Sequence, residues 1–285
     1  MRAKSLGKIN LALDVISKRE DGYHNIKTIM QKISLHDEME FIRIKQGFKF
    51  FSNVELDEEH NLIHRAHNLL ESYTGRKLPM EVHLKKNLPI AAGLAGGTGN
   101  GALTLKALNE VYDLGIDLEE LCRISLKLGA DFPYMLTGGT VLAEGIGEKL
   151  TAMDDFSGQS VLIVNPGYGI STREVYENLA LDEERTDFNS IGAAMKDKDF
   201  LKLSQLLENK MEKSVFEVHP DLEELKMGLR DFGGVSLMSG SGATVFALFD
   251  DEDKLNSAYE HYRNLYEYTY RAETVGGEDE YSFNR

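Results

Sequence analysis

The sequence predicts an α+β protein of two lobes, and three observations carry that prediction. Up to residue 51 the chain alternates apolar and polar side chains in successive short stretches, the period of half-buried strands. Glycines at Gly93, Gly96, Gly97, Gly99 and Gly101 then run directly into a helical stripe of Ala102, Leu105, Leu108 and Tyr112. Further on, Asn165-Pro-Gly-Tyr-Gly marks a change in composition, beyond which helical and strand patterns are interleaved. A chain of 285 residues is long enough for two modest cores, and the boundary is expected near residue 155, dividing it into 1–155 and 156–285.

Taken in order, residues 9–15, 26–33, 39–44 and 48–51 read as strands of an antiparallel sheet. Asp21-Gly22 between the first two is a turn signal, while Tyr23 and His24 exceed what a turn needs. From Asp57 as N-cap, Leu62, Ile63, Ala66, Leu69, Leu70 and Tyr73 form a helical stripe closed by Gly75. His60, His64 and His67 share the opposite face, which places them toward solvent, and no glutamate follows His60 as a zinc-protease helix requires. No metal site is read there. Residues 80–84 form the next strand, and Lys85-Lys86 put charge beside the glycines. Asp117-Leu-Glu-Glu resembles a capping box and opens a helix closed by Gly129. Asp131, ahead of Phe132-Pro133, has the ordinary reading of a cap. Strands follow at 140–143 and 160–164 and helices at 172–181, 189–195, 200–209 and 222–232. Strands at 235–238 and 244–249 flank Ser239-Gly-Ser-Gly; a helix from Glu252 and a strand at 268–272 complete the second lobe, and 276–285 are expected to fray.

Composition narrows the function classes. A hydrophobic content of 42% with 28% charged residues is that of an ordinary globular protein. No apolar run approaches the roughly 18 residues of a membrane span, and the first residues lack a signal-peptide pattern, so a cytoplasmic protein with no membrane partner is expected. Cys122 is the only cysteine, which excludes an intrachain disulfide and a cysteine-based metal site. The net charge of −15 opposes binding to nucleic acid, yet residues 1–32 carry +4 of it, with seven basic and three acidic groups. Because salt screens exposed charges beyond about 8 Å, a locally basic site on an acidic protein can still receive a polyphosphate.

The glycines point to such a ligand. Each costs roughly 0.5–1 kcal/mol of backbone entropy relative to alanine, so a cluster serves either positive φ or close approach of a ligand. A loop whose amides lead into a helix N-terminus is a natural phosphate cradle. It is not a Walker loop, since no Gly-Lys-Ser/Thr follows, nor a Rossmann fingerprint, since the glycine spacing differs. A flexible turn remains the alternative from these residues alone.

Other motifs decide between them. Lys8-Ile-Asn-Leu with Asp21-Gly-Tyr-His, then Pro89-x-x-x-Gly-Leu-x-Gly-Gly, then Gly129-Ala-Asp-Phe-Pro, then Met238-Ser-Gly-Ser-Gly stand in an order that resembles the GHMP kinases (galacto-, homoserine, mevalonate and phosphomevalonate kinases) over about residues 1–250. Asp21-Gly-Tyr-His is the most specific element, and with Lys8-Ile-Asn-Leu it is most similar to the branch that phosphorylates a cytidine-diphosphate-linked polyol of the non-mevalonate isoprenoid route. The resemblance implies a two-lobed GHMP kinase fold, with an N-terminal lobe like domain 2 of ribosomal protein S5 and a ferredoxin-like C-terminal lobe. It implies ATP and Mg²⁺ as cofactors, a small-molecule substrate between the lobes, and a monomer or homodimer. Another small alcohol as acceptor, or a degenerate relative that binds nucleotide without transfer, stays open as an alternative.

Residue by residue, the resemblance implies that Pro89, Ile90, Ala91, Ala92, Gly93, Leu94, Ala95, Gly96, Gly97, Thr98 and Gly99 wrap the ATP phosphates. It makes Asp131 the group that accepts or orients the hydroxyl proton and Lys8 its charged partner. A lysine within about 4–6 Å of a carboxylate favours the charged form, which is why such types are paired. Tyr23 would stack on the cytosine and His24 would bind the base edge, with Asn10 near the polyol and Thr172 and Tyr176 supplying a further hydroxyl and ring. The chain departs from the family pattern at Thr98-Gly99, where Ser-Ser is usual, so one hydroxyl that could meet phosphate or the Mg²⁺ shell is missing. Ala95 also stands where a glycine is usual and Gly101 where an alanine is, which implies a shifted loop backbone.

Overall fold

In the computed structural model, residues 1–57, 60–181 and 183–277 are described. Two long strands, β1 (Arg2–Lys18) and β2 (His24–Arg43), form the antiparallel backbone of the first lobe. The expected strands at 26–33 and 39–44 are one strand: Leu6 pairs with His36 while Gly7 pairs with Ile33, so the intervening residues are absorbed as a bulge that breaks the alternation without ending the ladder. After β3 (Phe48–Ser52) the chain enters α1 (Leu62–Thr74) and returns in β4 (Met80–Lys85). The cap of α1 is Asn61, whose side chain accepts from the Ile63 amide, rather than Asp57.

Helix α2 (Gly96–Val111) follows, then α3 (Leu118–Ser125), capped by Asp117 as expected but ending before Gly129, and α4 (Phe132–Thr137). Strands β5 (Thr140–Gly145) and β6 (Lys149–Ala152) complete a six-stranded sheet; sequence reasoning missed β6, a short outer strand. Along one edge of β2, β4 takes the half after Asp37 and β5 the half near Ile26, while β1 pairs along the other. Helices α1, α2 and α4 pack on this sheet through Ile63, Leu70, Leu105, Leu108 and Phe132, all buried.

The second sheet begins at β7 (Ser160–Asn165). Helices α5 (Thr172–Glu177), α6 (Phe188–Lys196), α7 (Phe200–Leu206), α8 (Glu212–Val218) and α9 (Pro220–Asp231) lead to β8 (Val235–Met238) and β9 (Val245–Phe249), and α10 (Glu252–Tyr262) leads to β10 (Tyr268–Glu273). The order β10-β7-β9-β8, antiparallel throughout, is the ferredoxin-like arrangement with extra helices in its first crossover. Helices α5 and α7 are shorter than their sequence patterns, and α8 had no separate signal. The expectation of fraying at the C-terminus falls, from residue 278 onward, outside the described residues. A core of Ile9, Leu11 and Ile29 against Ile163, Leu237 and Phe246 joins the two sheets. Strand β1 therefore belongs to one lobe and packs on the other.

Candidate active site

Between the lobes lies a cleft of about 1320 Å³ lined by residues from β1, the β1–β2 hairpin, both glycine-rich segments, α1 and α5. Its floor is the start of α2. The expected glycine loop is shorter than the sequence implies, because the helix begins at Gly96 and includes Gly97, Gly99 and Gly101. Ala95 precedes it in a left-handed conformation, with no side-chain cap and no acidic residue in the first turn, so the first amides of a 16-residue helix are left to a ligand. Ala91, Gly93 and Ala95 take φ of 52°, 77° and 54°. Two of these three left-handed positions are alanines, which pay roughly 1–2 kcal/mol each for the conformation. Gly93 has no substitute: a Cβ there would lie 2.1 Å from the Ser239 carbonyl oxygen.

Leu94 and Gly99 do not line the cleft. The Leu94 side chain is buried in the core between the sheets, and the residue contributes its carbonyl, which accepts from the Lys8 amide at 3.0 Å. Gly99 lies on the opposite side of α2 from the cleft, where a Cβ would sit 2.8 Å from Met135 Cε and 2.9 Å from Ser5 Oγ. A serine at 99 would thus point at β1 and α4 rather than into the cleft. Gly101 likewise admits the Phe132 ring, 2.7 Å from where a Cβ would be. Thr98 and the remaining loop residues from Pro89 to Gly97 do line the cleft.

Across from the helix start, Lys8 is 4% exposed and donates to Asn10 Oδ1 at 2.5 Å, while its Nζ stands 4.0 Å from Asp131 Oδ2. Burial pushes the Lys8 ammonium below the ordinary lysine range, and Asp131 pulls it back up. Asp131 occupies the cap position of α4 but makes no side-chain capping bond, so its carboxylate, 36% exposed, faces the cleft. The ordinary reading of this aspartate as a cap is therefore set aside. Asn10 is fixed by Thr28, which accepts from Asn10 Nδ2 at 2.9 Å and donates to the Ala12 carbonyl at 2.6 Å.

His24, Thr172 and Tyr176 lie together in the same cleft. The His24 and Tyr176 rings stack with centroids 4.9 Å apart and planes 16° from parallel. Thr172 Oγ1 shares a hydrogen bond of 2.8 Å with Ser241 Oγ. Burial, with some help from Asp131, raises the Tyr176 phenol, and burial beside Lys18 lowers the His24 imidazole, so both rings favour their neutral forms. Tyr23 borders the same cleft but is 60% exposed, so the stacked pair in the structure is His24–Tyr176 and not one built on Tyr23.

Sequence reasoning missed a second ionic group. Asp37, fully buried, accepts from Lys86 Nζ at 2.7 Å, from the Asn87 and Leu88 amides at 2.8 Å each, and from Asn100 Nδ2 at 3.0 Å. One carboxylate ties the end of β4 to the first turns of α2 and so sets where the cradle begins. Nothing in a run of Leu-His-Asp-Glu signals that four donors converge on the aspartate. The histidine face of α1 was also misjudged: His67 is buried with Nε2 2.9 Å from the Leu78 carbonyl, and His64 packs edge-on against Phe48 at 4.8 Å. Strand β3 covers that face; only His60, paired to Asp57 at 2.7 Å, is exposed. Among the described residues no group of three histidine, cysteine or acidic side chains could hold a metal by itself, and no helix is long and apolar enough to cross a membrane.

Residues 61–140 match the GHMP kinases N terminal domain and residues 184–267 the GHMP kinases C terminal domain. The 4-diphosphocytidyl-2-C-methyl-D-erythritol kinase of Clostridium novyi (strain NT) is 38% identical over 278 residues, covering 95% of this chain and 99% of that protein. The same kinase of Lachnoclostridium phytofermentans is 40% identical over 91% of each chain. Among solved structures, a 4-(cytidine 5'-diphospho)-2C-methyl-D-erythritol kinase superposes with a TM-score of 0.84 at 29% identity, over 97% of this chain and 100% of that one. A homoserine kinase from Cytophaga hutchinsonii shares the fold with a TM-score of 0.72 at 15% identity, over 97% of this chain and 95% of that one.

Proposed function

Since the chain belongs to the GHMP kinases, within the family of 4-diphosphocytidyl-2-C-methyl-D-erythritol kinases, we propose a division of labour among its cleft residues that accounts for transfer of the ATP γ-phosphoryl group to the 2-hydroxyl of that substrate. The observation that carries it is the Lys8–Asp131 pair, a buried ammonium 4.0 Å from a carboxylate that is not spent on capping, set across the cleft from the open N-terminus of α2.

In this reading the amides of Ala95 to Gly97 and the α2 dipole hold the phosphates, and Lys8 balances the negative charge that builds on the transferred group. Asp131 takes the proton of the acceptor hydroxyl as its oxygen bonds to the γ-phosphorus and the bond to the bridging oxygen breaks, releasing ADP. Asn10 holds Lys8 in place, and His24 with Tyr176 grips the cytosine, both rings neutral and so able to bury against a neutral base. The lining suits Mg²⁺ that would arrive with the nucleotide: in the first turn of α2 it offers the Thr98 hydroxyl, and among the described residues no three histidine, cysteine or acidic side chains gather to hold a resident ion. The Thr98 hydroxyl and the nucleotide phosphates would hold the ion, which would supply neutralisation of the phosphate charge. The division between lobes is read near residue 155, in the connection between β6 and β7.

The test is ADP release measured with the cytidyl substrate beside mevalonate and homoserine. Turnover on the first alone is the expected result. Comparable turnover on either of the others would sink the acceptor assignment.

A further inference from the structure

The second glycine-rich segment, Ser239 to Gly242, is a turn seated on the catalytic lysine. The Ser239 hydroxyl donates to the Gly93 carbonyl at 3.0 Å and accepts from the Asn10 amide at 3.3 Å. A Cβ on Gly240 would lie 3.2 Å from Asn10 Oδ1 and 3.6 Å from Lys8 Nζ, and φ at this position is +58°, so glycine lets the turn close over this pair without crowding Asn10. What holds the turn down comes from elsewhere in the chain. Asn209, between α7 and α8, donates through Nδ2 to both the Met238 and Gly240 carbonyls at 2.8 Å, and its Oδ1 accepts from the Met211 amide at 3.0 Å. The residues around it are fixed to β1, since Leu13 accepts from the Lys210 amide at 2.9 Å and donates to the Glu208 carbonyl at 3.0 Å. Asn209 is 4% exposed, and both polar atoms of its side chain are used, Nδ2 as a double donor and Oδ1 as an acceptor.

We propose that Asn209 is a positioning residue for the transfer, clamping the Gly240 turn onto Lys8 and Asn10 so that the ammonium is held dry and aimed at the reacting phosphoryl group. The proposal rests on the kinase reading above and adds a residue that touches neither substrate. Its physical content is that the turn is the lid on Lys8. Asp131, at the start of α4, is the charged group that faces the lysine among the described residues; Asn10, the Gly240 turn and the loop at 93–94 present neutral dipoles. Low water access thus comes from backbone held in place, and Asn209 holds it.

The test is Asn209→Ala in the full-length protein, with Asn209→Ser, which keeps one donor on a shorter side chain, as the variant to use if the alanine does not fold. Two quantities are read: the titration midpoint of the Lys8 amine by lysine ¹³Cε NMR, assigned by loss of its signal in Lys8→Met, and kcat and KM for both substrates. Opening the lid hydrates the ammonium, so the midpoint should rise toward the ordinary lysine range. Misplacement of the charge should lower kcat by roughly tenfold to a hundredfold, with KM for ATP and acceptor changed far less. An unmoved Lys8 midpoint overturns the proposal even where kcat falls, because a merely structural asparagine would lower activity without hydrating the lysine. The titration needs no turnover, so an inactive wild type would count against the substrate reading and leave this one to be judged by the NMR.

Discussion

Lys86 and Asp37 meet at 2.7 Å with side chains 6% and 0% exposed, whereas Lys8 and Asp131, across the cleft, stand 4.0 Å apart with Asp131 36% exposed. Both lysines are pushed below their ordinary range by burial and pulled back by their carboxylate. The difference lies in the acids. Asp37 accepts four hydrogen bonds and has no lone pair facing an incoming group, so it can fasten but not react. Asp131 has open oxygens toward the cleft and can take a proton. The spacing of a pair, and the number of donors already on its carboxylate, separate structure from chemistry more clearly than residue type does.

The largest effect expected from this contrast is on turnover. Asp131→Asn should lower kcat by about a hundredfold to ten-thousandfold, as loss of a general base does, while costing about 1–3 kcal/mol of unfolding free energy, because the buried Lys8 ammonium loses its charged partner. Coupled ADP-release kinetics and denaturant unfolding on the same preparation check both halves. An active Asp131→Asn would end the catalytic assignment.

Next in size is a stability effect at the other pair. Lys86→Met leaves Asp37 charged and buried with one donor fewer, which should cost about 3–5 kcal/mol. Lys8→Met leaves Asp131 in contact with solvent and should cost only about 1 kcal/mol, the hydrogen bond lost at Asn10. Urea unfolding of both variants without nucleotide decides it. The comparison breaks if Lys8→Met proves the more damaging to the fold.

How much of this was readable beforehand follows the range of the interactions. Strand and helix patterns survived because alternation and helical stripes are local, and the motif order brought Lys8, Asp131, His24 and Tyr176 into one cleft although they are far apart in the chain. The bulge that fuses two expected strands into β2 was not readable, since it is defined by the register of β1. Nor was the burial of His64 and His67, because helical periodicity shows which face is apolar but not that β3 lays Phe48 and Phe50 on the other. Asp37 and Asn209 were invisible for the same reason. Each collects partners from across the fold, and a lone polar residue in sequence gives no sign of how many donors or acceptors will converge on it.

The glycines show the limit most sharply, because one residue type serves two purposes within a few positions. Gly93 is required by the turn over it, while Gly99 is required by what packs against α2 from behind. That makes Gly99→Ser the smallest and most discriminating test. Were the position part of the cradle, restoring a hydroxyl would raise kcat/KM. The space beside Gly99 is about 10 Å³, room for no more than a water, and the new Cβ would crowd Met135 Cε, Ser5 Oγ and, at 3.2 Å, the Leu6 carbonyl. Met135 and Ser5 are side-chain ends that can yield, so the expected cost is about 1–2 kcal/mol of stability with kcat/KM no higher than wild type. The Ser5 hydroxyl is buried without a partner, so Ser5→Ala should be close to neutral by itself and, by making room, should recover part of the loss in the double variant. Additive losses in that cycle, or a gain in kcat/KM for Gly99→Ser, would return Gly99 to the phosphate side of the helix.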